Sequence, residues 1–201
     1  MKTCETVLPE NYSEVYHIDA KNKKTGILLN LCSFIPVIGI LVLFACTVSP
    51  AEFGFEELSD FPKLLFFFVG LLFGIFAYVV LHELTHGVVY KLLTKQKLTF
   101  GLSWSCAYCG VPNVYVYRKT ALLALIAPFA LFTLILLPLT IVFAFMSVYL
   151  YIIFGFVFAM HFGGCSGDLY MFFLLLFKYK NPALLLRDSG PEQWLYLPEN
   201  I

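Results

Sequence analysis

"KLLFFFVGLLFGIFAYVVLHELTHGVVYKLL", residues 63–93, is an apolar run that is interrupted by His82, Glu83, Thr85 and His86. A helix needs roughly 20 apolar residues to cross the hydrocarbon core of a bilayer, and this run is long enough. Carboxylates and imidazoles are costly inside a membrane helix, and where they occur they usually have a function. The stretch therefore predicts a membrane helix that carries a chemical site.

The rest of the chain has the same apolar character. Of its 201 residues, 60% are hydrophobic and 13% are charged, a balance too apolar for an ordinary soluble domain. The net charge is zero, so nothing points to a nucleic-acid partner. Three further segments could span a bilayer: Gly26–Val48, Thr120–Leu137 and Leu139–Phe177. We predict an all-α integral membrane protein with about four transmembrane helices.

Three local features refine this fold. Pro138 separates the third and fourth segments, which predicts a tight helical hairpin there, and "HFGGCSGDL" (161–169) predicts a glycine break in the fourth helix. In the 94–119 loop, "KLTFGLSWS" and "VPNVYVYRK" flank "CAYCG" and predict a β-hairpin. The loop is either a plain connector or an exposed edge strand that holds an extended peptide. Its C-x-x-C pair, Cys106 and Cys109, has no second pair and predicts two reduced thiols rather than a zinc site.

The distribution of charge predicts the orientation in the cell membrane. The 94–119 loop contains four basic residues and no acid (Lys95, Lys97, Arg118 and Lys119). Lys21, Lys23 and Lys24 precede the first span, and the C-terminal tail carries Lys178, Lys180 and Arg187. The loop after the first span is acidic, with Glu52, Glu56, Glu57 and Asp60 against a single Lys63. By the positive-inside rule, both termini and the 94–119 loop are cytoplasmic. The polar N-terminus has no cleavable signal pattern, so we expect the first apolar segment to be retained. We predict a cytoplasmic tail at 1–25, one membrane-embedded domain at 26–178 and a loosely ordered cytoplasmic tail at 179–201.

The motif inside the second span indicates metal chemistry. His82 and His86 are four residues apart, so they project from one helix face and can reach a single metal ion. Glu83 is rotated away from that pair and can reach a water on the metal without being a ligand. This H-E-x-x-H arrangement is typical of zinc peptidases, in which zinc lowers the pKa of the water and the glutamate takes its proton. Two histidines satisfied inside a helix bundle are the weaker alternative.

A catalytic zinc needs a third protein ligand, and the sequence offers two candidates. Val89 and Leu92 stand where the extended motif H-E-x-x-H-x-x-G-x-x-H would need glycine and histidine. Within the spans, Asp168 is the only carboxylate besides Glu83, and it lies near the cytoplasmic end of the fourth segment, at a depth similar to His82. Asp168 could also cap the following half-helix. His161 is the competing ligand, and it could instead orient a ligand, bind substrate or sit in a bundle core.

These residues resemble a known family. "HELTHG" in the second span, "LIAPFAL" in the third and "GGCSGDL" in the fourth resemble the DUF3267 family of zincin peptidases, which look like a minimal site-2 protease core. The resemblance covers residues 64–178. It implies His82, His86 and Asp168 as the ligands of one Zn²⁺ and Glu83 as the general base. Leu169 follows the aspartate, where site-2 proteases usually carry Asp-Gly, and the usual Asn-Pro is missing.

The function we expect is a membrane-embedded zinc metalloendopeptidase of the H-E-x-x-H type. Its partners would be the lipid bilayer and a peptide or membrane-protein substrate, and the sequence does not define an oligomeric state. Two alternatives stay open at this point. One is a protein that binds or transports divalent metal, although a single cluster and a basic loop argue against it. The other is a non-catalytic relative of the peptidase fold, against which the intact H-E-x-x-H motif argues.

Overall fold

The computed structural model describes residues 2–48, 60–104 and 106–199. Its helices are α1 (Lys23–Ala45), α2 (Phe61–Thr94), α3 (Arg118–Ala144), α4 (Val148–Gly164) and α5 (Ser166–Phe173), and a π-helical turn (Leu174–Lys178) follows α5. Four helical segments are long and apolar enough to cross a membrane: α1, α2, α3, and Val148–Lys178 taken as one. The acidic residues Glu52, Glu56 and Glu57, which entered the orientation argument, lie outside the described residues.

Two helix boundaries differ in detail from expectation. Helix α3 continues through Pro138 to Ala144 and α4 begins at Val148, so the predicted short connection is present but lies at residues 145–147 and not at Pro138. A proline removes one backbone donor, and membrane helices tolerate this where local adjustments and neighbours satisfy the freed carbonyl. The predicted interruption of the fourth segment is present at Cys165, but it is mild, because Cys165 keeps a near-helical backbone with φ −77° and ψ −1°.

The described chain also contains seven strands, so it is not all-α. They are β1 (Cys4–Glu5), β2 (Tyr12–Asp19), β3 (Thr99–Leu102), β4 (Ala107–Gly110), β5 (Tyr115–Tyr117), β6 (Leu185–Asp188) and β7 (Glu192–Pro198). Five of them form an antiparallel sheet in the order β1-β5-β6-β7-β2. Strands β3 and β4 form a separate two-stranded sheet.

The β-hairpin expected in the 94–119 loop is present, with a different second strand. Strand β3 pairs with β4, from Thr99 opposite Gly110 to Leu102 opposite Ala107. The segment "CAYCG", expected to be the turn, therefore supplies the whole second strand. The "VYVY" segment forms β5 instead and pairs with β1 and β6 of the larger sheet.

Both ends of the chain are part of that larger sheet. Strand β7 pairs with β2 along most of its length, from Tyr12 opposite Pro198 to Asp19 opposite Glu192. The expectation of a loosely ordered C-terminal segment is therefore wrong. The reason is that Leu195 of β7 is fully buried, Leu197 packs against the same core, and the strand's backbone is paired on both sides.

The chain divides into two compact units. The first unit comprises Met1–Leu31, His82–Pro128 and Ser166–Ile201. It contains both sheets, the C-terminal part of α2, the N-terminal part of α3, and α5. The buried side chains of its core come from the larger sheet, the three helices, the π-helical turn and the segments next to β5 and β6: Tyr90, Val111, Val114, Val116, Ala121, Ala124, Leu125, Met171, Leu175, Leu184, Leu186 and Leu195. This core fixes the end of α2 that carries the H-E-x-x-H motif.

The second unit comprises Cys32–Leu81 and Phe129–Cys165. Its core consists of Tyr78, Phe132, Leu136 and Val157, from α2, α3 and α4. Gly74 lets α2 approach α4 closely, because a Cβ built at this glycine would lie 3.2 Å from Val157 Cγ2. Many large apolar side chains on α1 and α2 remain exposed, as expected of helices that face lipid.

Candidate metal centre

His82 and His86 project from the same face of α2, as the four-residue spacing requires. Their imidazole ring centroids lie 5.0 Å apart, and the ring planes are inclined by 72°. Each residue is only 6% exposed. Both therefore belong to a buried stripe on an otherwise apolar helix.

Asp168, in the first turn of α5, brings a carboxylate to both histidines. Its Oδ2 atom lies 3.1 Å from His82 Nε2 and 3.2 Å from His86 Nε2. The candidate ligand atoms of the three residues all lie within 4.8 Å of one another. The Asp168 side chain is 22% exposed, so the group is open on one side. The structure thus brings together the three residues implied by the family resemblance.

The geometry of this group, which we call the HHD cluster (His82, His86 and Asp168), suits a zinc ion. Zinc–nitrogen and zinc–oxygen bonds are about 2.0–2.2 Å long, so the ligand atoms of a tetrahedral site are separated by about 3.3 Å. The two observed nitrogen–oxygen separations, 3.1 and 3.2 Å, are close to that value. Two imidazoles and one carboxylate are also a donor set that zinc enzymes use. The residues present therefore fit the metal.

A backbone carbonyl defines the tautomer of His86. The Nδ1–H group of His86 donates to the carbonyl oxygen of Ala124 at 2.9 Å. A carbonyl can only accept, so Nδ1 carries a proton and Nε2 is the nitrogen that can offer a lone pair to a metal. Sequence reasoning did not identify Ala124, because every residue has a carbonyl and only the approach of α3 selects this one.

Glu83 lies beside the HHD cluster without joining it. The side chain is half-buried, and it interacts electrostatically with His82, His86 and Asp168. Within residues 2–48, 60–104 and 106–199, no hydrogen bond or ion pair to its carboxylate is found. A carboxylate in this position can accept a proton from a water molecule near the cluster.

His161, the competing candidate ligand, is found in the other unit with partners of its own. It is fully buried, and its Nδ1 atom lies 3.1 Å from the Tyr78 hydroxyl and 3.5 Å from the Cys165 sulfur. Its Nε2 atom lies 3.0 Å from the Thr133 hydroxyl. Rings of Phe129, Phe132, Phe158 and Phe162 surround the imidazole. These contacts describe a histidine that is satisfied inside a helix bundle.

The β3–β4 hairpin packs against α2 next to the HHD cluster. Gly87, which directly follows His86, faces the side chains of Leu98 and Phe100. A Cβ built at Gly87 would approach the Phe100 ring to 2.7 Å, so glycine is what permits this contact. In the hairpin itself, burial raises the pKa of Cys109 to about 12, so this thiol stays protonated at neutral pH.

Comparison with known proteins places the chain in a family. Residues 75–183, more than half of the chain, match the family DUF3267, which is described as "Putative zincin peptidase". The matched region contains the H-E-x-x-H motif, the β3–β4 hairpin and Asp168. No curated protein and no solved structure matches the chain. The chain belongs to the DUF3267 family, whose description points to a metallopeptidase.

Proposed function

We propose that this protein is a membrane-embedded zinc metallopeptidase of the cell membrane. The observation that carries the proposal is the convergence of His82, His86 and Asp168 at near-tetrahedral spacing, with the free carboxylate of Glu83 beside them. Four apolar helices long enough to cross a bilayer support the location. The family description supports the class of enzyme.

The proposed reaction is hydrolysis of a peptide bond. Zinc held by the HHD cluster supplies a Lewis acid that polarises the scissile carbonyl and lowers the pKa of a nearby water. The Glu83 carboxylate takes a proton from the water as its oxygen forms a bond to the carbonyl carbon. Glu83 then returns this proton to the amide nitrogen as the C–N bond breaks, so that one water is added across the peptide bond. The Ala124 carbonyl holds the His86 ring in orientation throughout.

We further propose that the hairpin holds the substrate in extended form. In the described part of the chain, β3 pairs only with β4, so the opposite edge of β3 is available for an added strand. Phe100 of β3 packs on Gly87, one residue beyond His86, so an added strand would run beside the HHD cluster. N-methylation of alternate backbone amides in a peptide substrate should raise KM, because those amides could no longer donate to β3.

The topology supports the proposed orientation. Backbone pairing cannot occur across a bilayer, and β1 and β2 from the N-terminal region join one sheet with β5, β6 and β7. This pairing favours both terminal regions and residues 115–117 on the same side of the membrane. The 94–119 loop, which ends next to residues 115–117, carries four lysine or arginine residues and no acid, and this supports the cytoplasmic side.

The test of this function combines metal content with hydrolysis. The full chain is purified in detergent, its zinc is measured by elemental mass spectrometry, and a mixture of quenched fluorescent peptides serves as the probe. We expect one zinc per chain and cleavage by the wild type. Glu83→Gln should keep the zinc and lose cleavage, whereas His82→Ala should lose both.

The matched controls are Glu10→Gln and His17→Ala, which change the same residue types in the N-terminal region outside the cluster. Both should retain zinc and cleavage. A wild type without stoichiometric zinc would contradict the proposal. A Glu83→Gln protein that moves zinc across vesicle membranes as fast as the wild type, with no cleavage by either, would favour transport instead.

A further inference from the structure

Asp188, at the end of β6, is a buried carboxyl that the proposed reaction does not use. It is 3% exposed, which makes it the most deeply buried carboxyl in residues 2–48, 60–104 and 106–199. Burial, opposed by hydrogen bonds from Tyr90 and Gly190, raises the pKa of Asp188 to about 6. Burying a carboxyl lowers stability unless hydrogen bonds replace its lost hydration, so its partners identify what it holds in place.

Three donors from two parts of the first unit converge on this carboxyl. The Tyr90 hydroxyl donates to Oδ2 at 2.6 Å, and the Gln193 side-chain amide donates to the same oxygen at 3.3 Å. The backbone N–H of Gly190 donates to Oδ1 at 2.8 Å. Asp188 therefore joins helix α2 to the β6–β7 turn.

Tyr90 lies on the same face of α2 as the two histidines. His82, His86 and Tyr90 follow one another at four-residue spacing, and Tyr90 is 1% exposed. The hydrogen bond from the Tyr90 hydroxyl to Asp188 restricts rotation of α2 about its own axis. Such a rotation of α2 would move the His86 ring away from Asp168.

The β6–β7 turn also contacts the β3–β4 hairpin. Gly190 adopts φ +97°, a conformation that favours glycine, and the ring of Tyr108 from β4 packs directly over it. Gly110 lies against the Gly190 backbone, and the N–H of Val111 donates to the Asp188 carbonyl at 2.8 Å. The hairpin beside the HHD cluster is thus positioned by the residues that surround Asp188.

We propose that Asp188 is a positioning residue, which acts through the Tyr90 hydroxyl on the orientation of His86 and through the β6–β7 turn on the hairpin. The inference rests on the proposed function, because it assigns to Asp188 an effect on zinc affinity and on substrate binding. Asp188 touches neither the metal nor the substrate in this account. Its effect comes from holding α2 and the hairpin in one fixed arrangement.

The first test uses Tyr90→Phe, which removes one hydroxyl and keeps the ring. Zinc affinity is measured by competition with a chromophoric chelator on the full chain in detergent, and Co²⁺ replaces zinc to report ligand geometry through its d–d absorption. We expect zinc affinity to fall about 10-fold, the size typical of residues that orient metal ligands, together with an altered cobalt spectrum.

The matched control is Tyr117→Phe. The Tyr117 hydroxyl also donates to a carboxylate, that of Glu5, within the same sheet but away from α2. This variant should match the wild type in zinc affinity and cobalt spectrum, even where its thermal midpoint falls. The inference is overturned by a Tyr90→Phe protein that loses thermal stability yet keeps wild-type zinc affinity and cobalt spectrum.

A second pair of variants, Asp188→Asn and Asp188→Ala, separates the loss of hydrogen bonds from a general loss of folding. Asp188→Asn preserves the shape and can still bond to Tyr90 and Gly190, whereas Asp188→Ala cannot. Zinc affinity and KM for the peptide probe should be closer to wild type in Asp188→Asn than in Asp188→Ala. Equal losses in the two variants would contradict positioning through hydrogen bonds. A wild type without zinc would instead refute the proposed function, so the two failures are distinguishable.

Discussion

Each of the two units contains a buried histidine on an apolar helix, but the two histidines meet different partners. His86 donates from Nδ1 to a carbonyl and turns Nε2 toward the carboxylate of Asp168. His161 places both ring nitrogens against the uncharged Tyr78, Thr133 and Cys165 side chains. Helix hydropathy alone would not distinguish them. The difference teaches that a histidine indicates a metal site when one nitrogen is fixed by an acceptor and the other faces a second ligand.

Exposure separates the two clusters as well. His161 is fully buried among aromatic rings, an environment typical of a structural imidazole. The HHD cluster includes a carboxylate that is 22% exposed, and Glu83 beside it is half-buried. Water and substrate need access to a hydrolytic site, whereas a structural cluster is more stable without it. If the contrast is functional, changes at the HHD cluster and Glu83 should affect zinc binding or cleavage, and a change at His161 should affect stability alone.

The largest effect should follow Glu83→Gln. The amide cannot accept the proton of the attacking water, and general bases typically contribute about 100- to 10,000-fold to rate. We expect kcat for the peptide probe to fall within that range while one zinc per chain is retained. The measurement is a single-turnover cleavage assay together with zinc analysis. Full activity in this variant would remove Glu83 from the mechanism.

The next largest effect should follow Asp168→Ala, which removes one proposed zinc ligand. Loss of a ligand should cost more than loss of a residue that only orients one, so zinc affinity should fall by more than about 100-fold. Chelator competition at pH 7.4 measures this affinity. Retention of stoichiometric zinc with wild-type affinity would exclude Asp168 from the ligand set.

A smaller effect, on stability alone, should follow His161→Phe. The phenyl ring fills similar space but leaves the hydroxyls of Tyr78 and Thr133 without the ring nitrogens that they contact. Losing such bonds in a buried site should lower the free energy of unfolding by about 2 kcal/mol. Zinc content should stay at one per chain. If His161→Phe loses zinc while Asp168→Ala keeps it, His161 belongs to the metal site and Asp168 does not.

The last expected effect is a pH dependence of the free energy of unfolding that comes from Asp188. Its pKa is raised from 3.8 to about 6, so the folded state binds the proton more tightly than the unfolded state does. The free energy of unfolding therefore decreases as pH rises from about 4 to about 6, and Asp188→Asn should lack this decrease. Thermal midpoints of the metal-free proteins across that interval provide the measurement. Parallel pH profiles for wild type and variant would contradict the raised pKa.

The HHD cluster could be predicted from the sequence because its members are chemically conspicuous. Two histidines at helical spacing and one rare acid in an apolar span exclude most other arrangements. The tautomer of His86 could not be predicted, because its acceptor is a backbone carbonyl of another helix. The role of Tyr90 also depends on Asp188, which lies 98 residues further along the chain.

The four apolar helices could likewise be predicted, whereas the larger sheet could not. A span is a local property of about 20 residues, but β2 pairs with β7 across nearly the whole chain. The β6–β7 turn was not predicted, although it could have been found from "DSGP" at 188–191, a run of turn-forming residues between two short apolar segments. Helix α3 passes through Pro138, which a helix long and apolar enough to cross a membrane can accommodate.

The central claim is that His82, His86 and Asp168 hold one zinc ion. Crystals of the full chain, grown with zinc in a lipid mesophase and measured at the zinc absorption edge, would test it most directly. The account predicts one anomalous peak within about 2.2 Å of a nitrogen of each histidine and an oxygen of Asp168. A peak at His161 and Cys165 without Asp168, or no peak at the HHD cluster in zinc-saturated crystals, would contradict it.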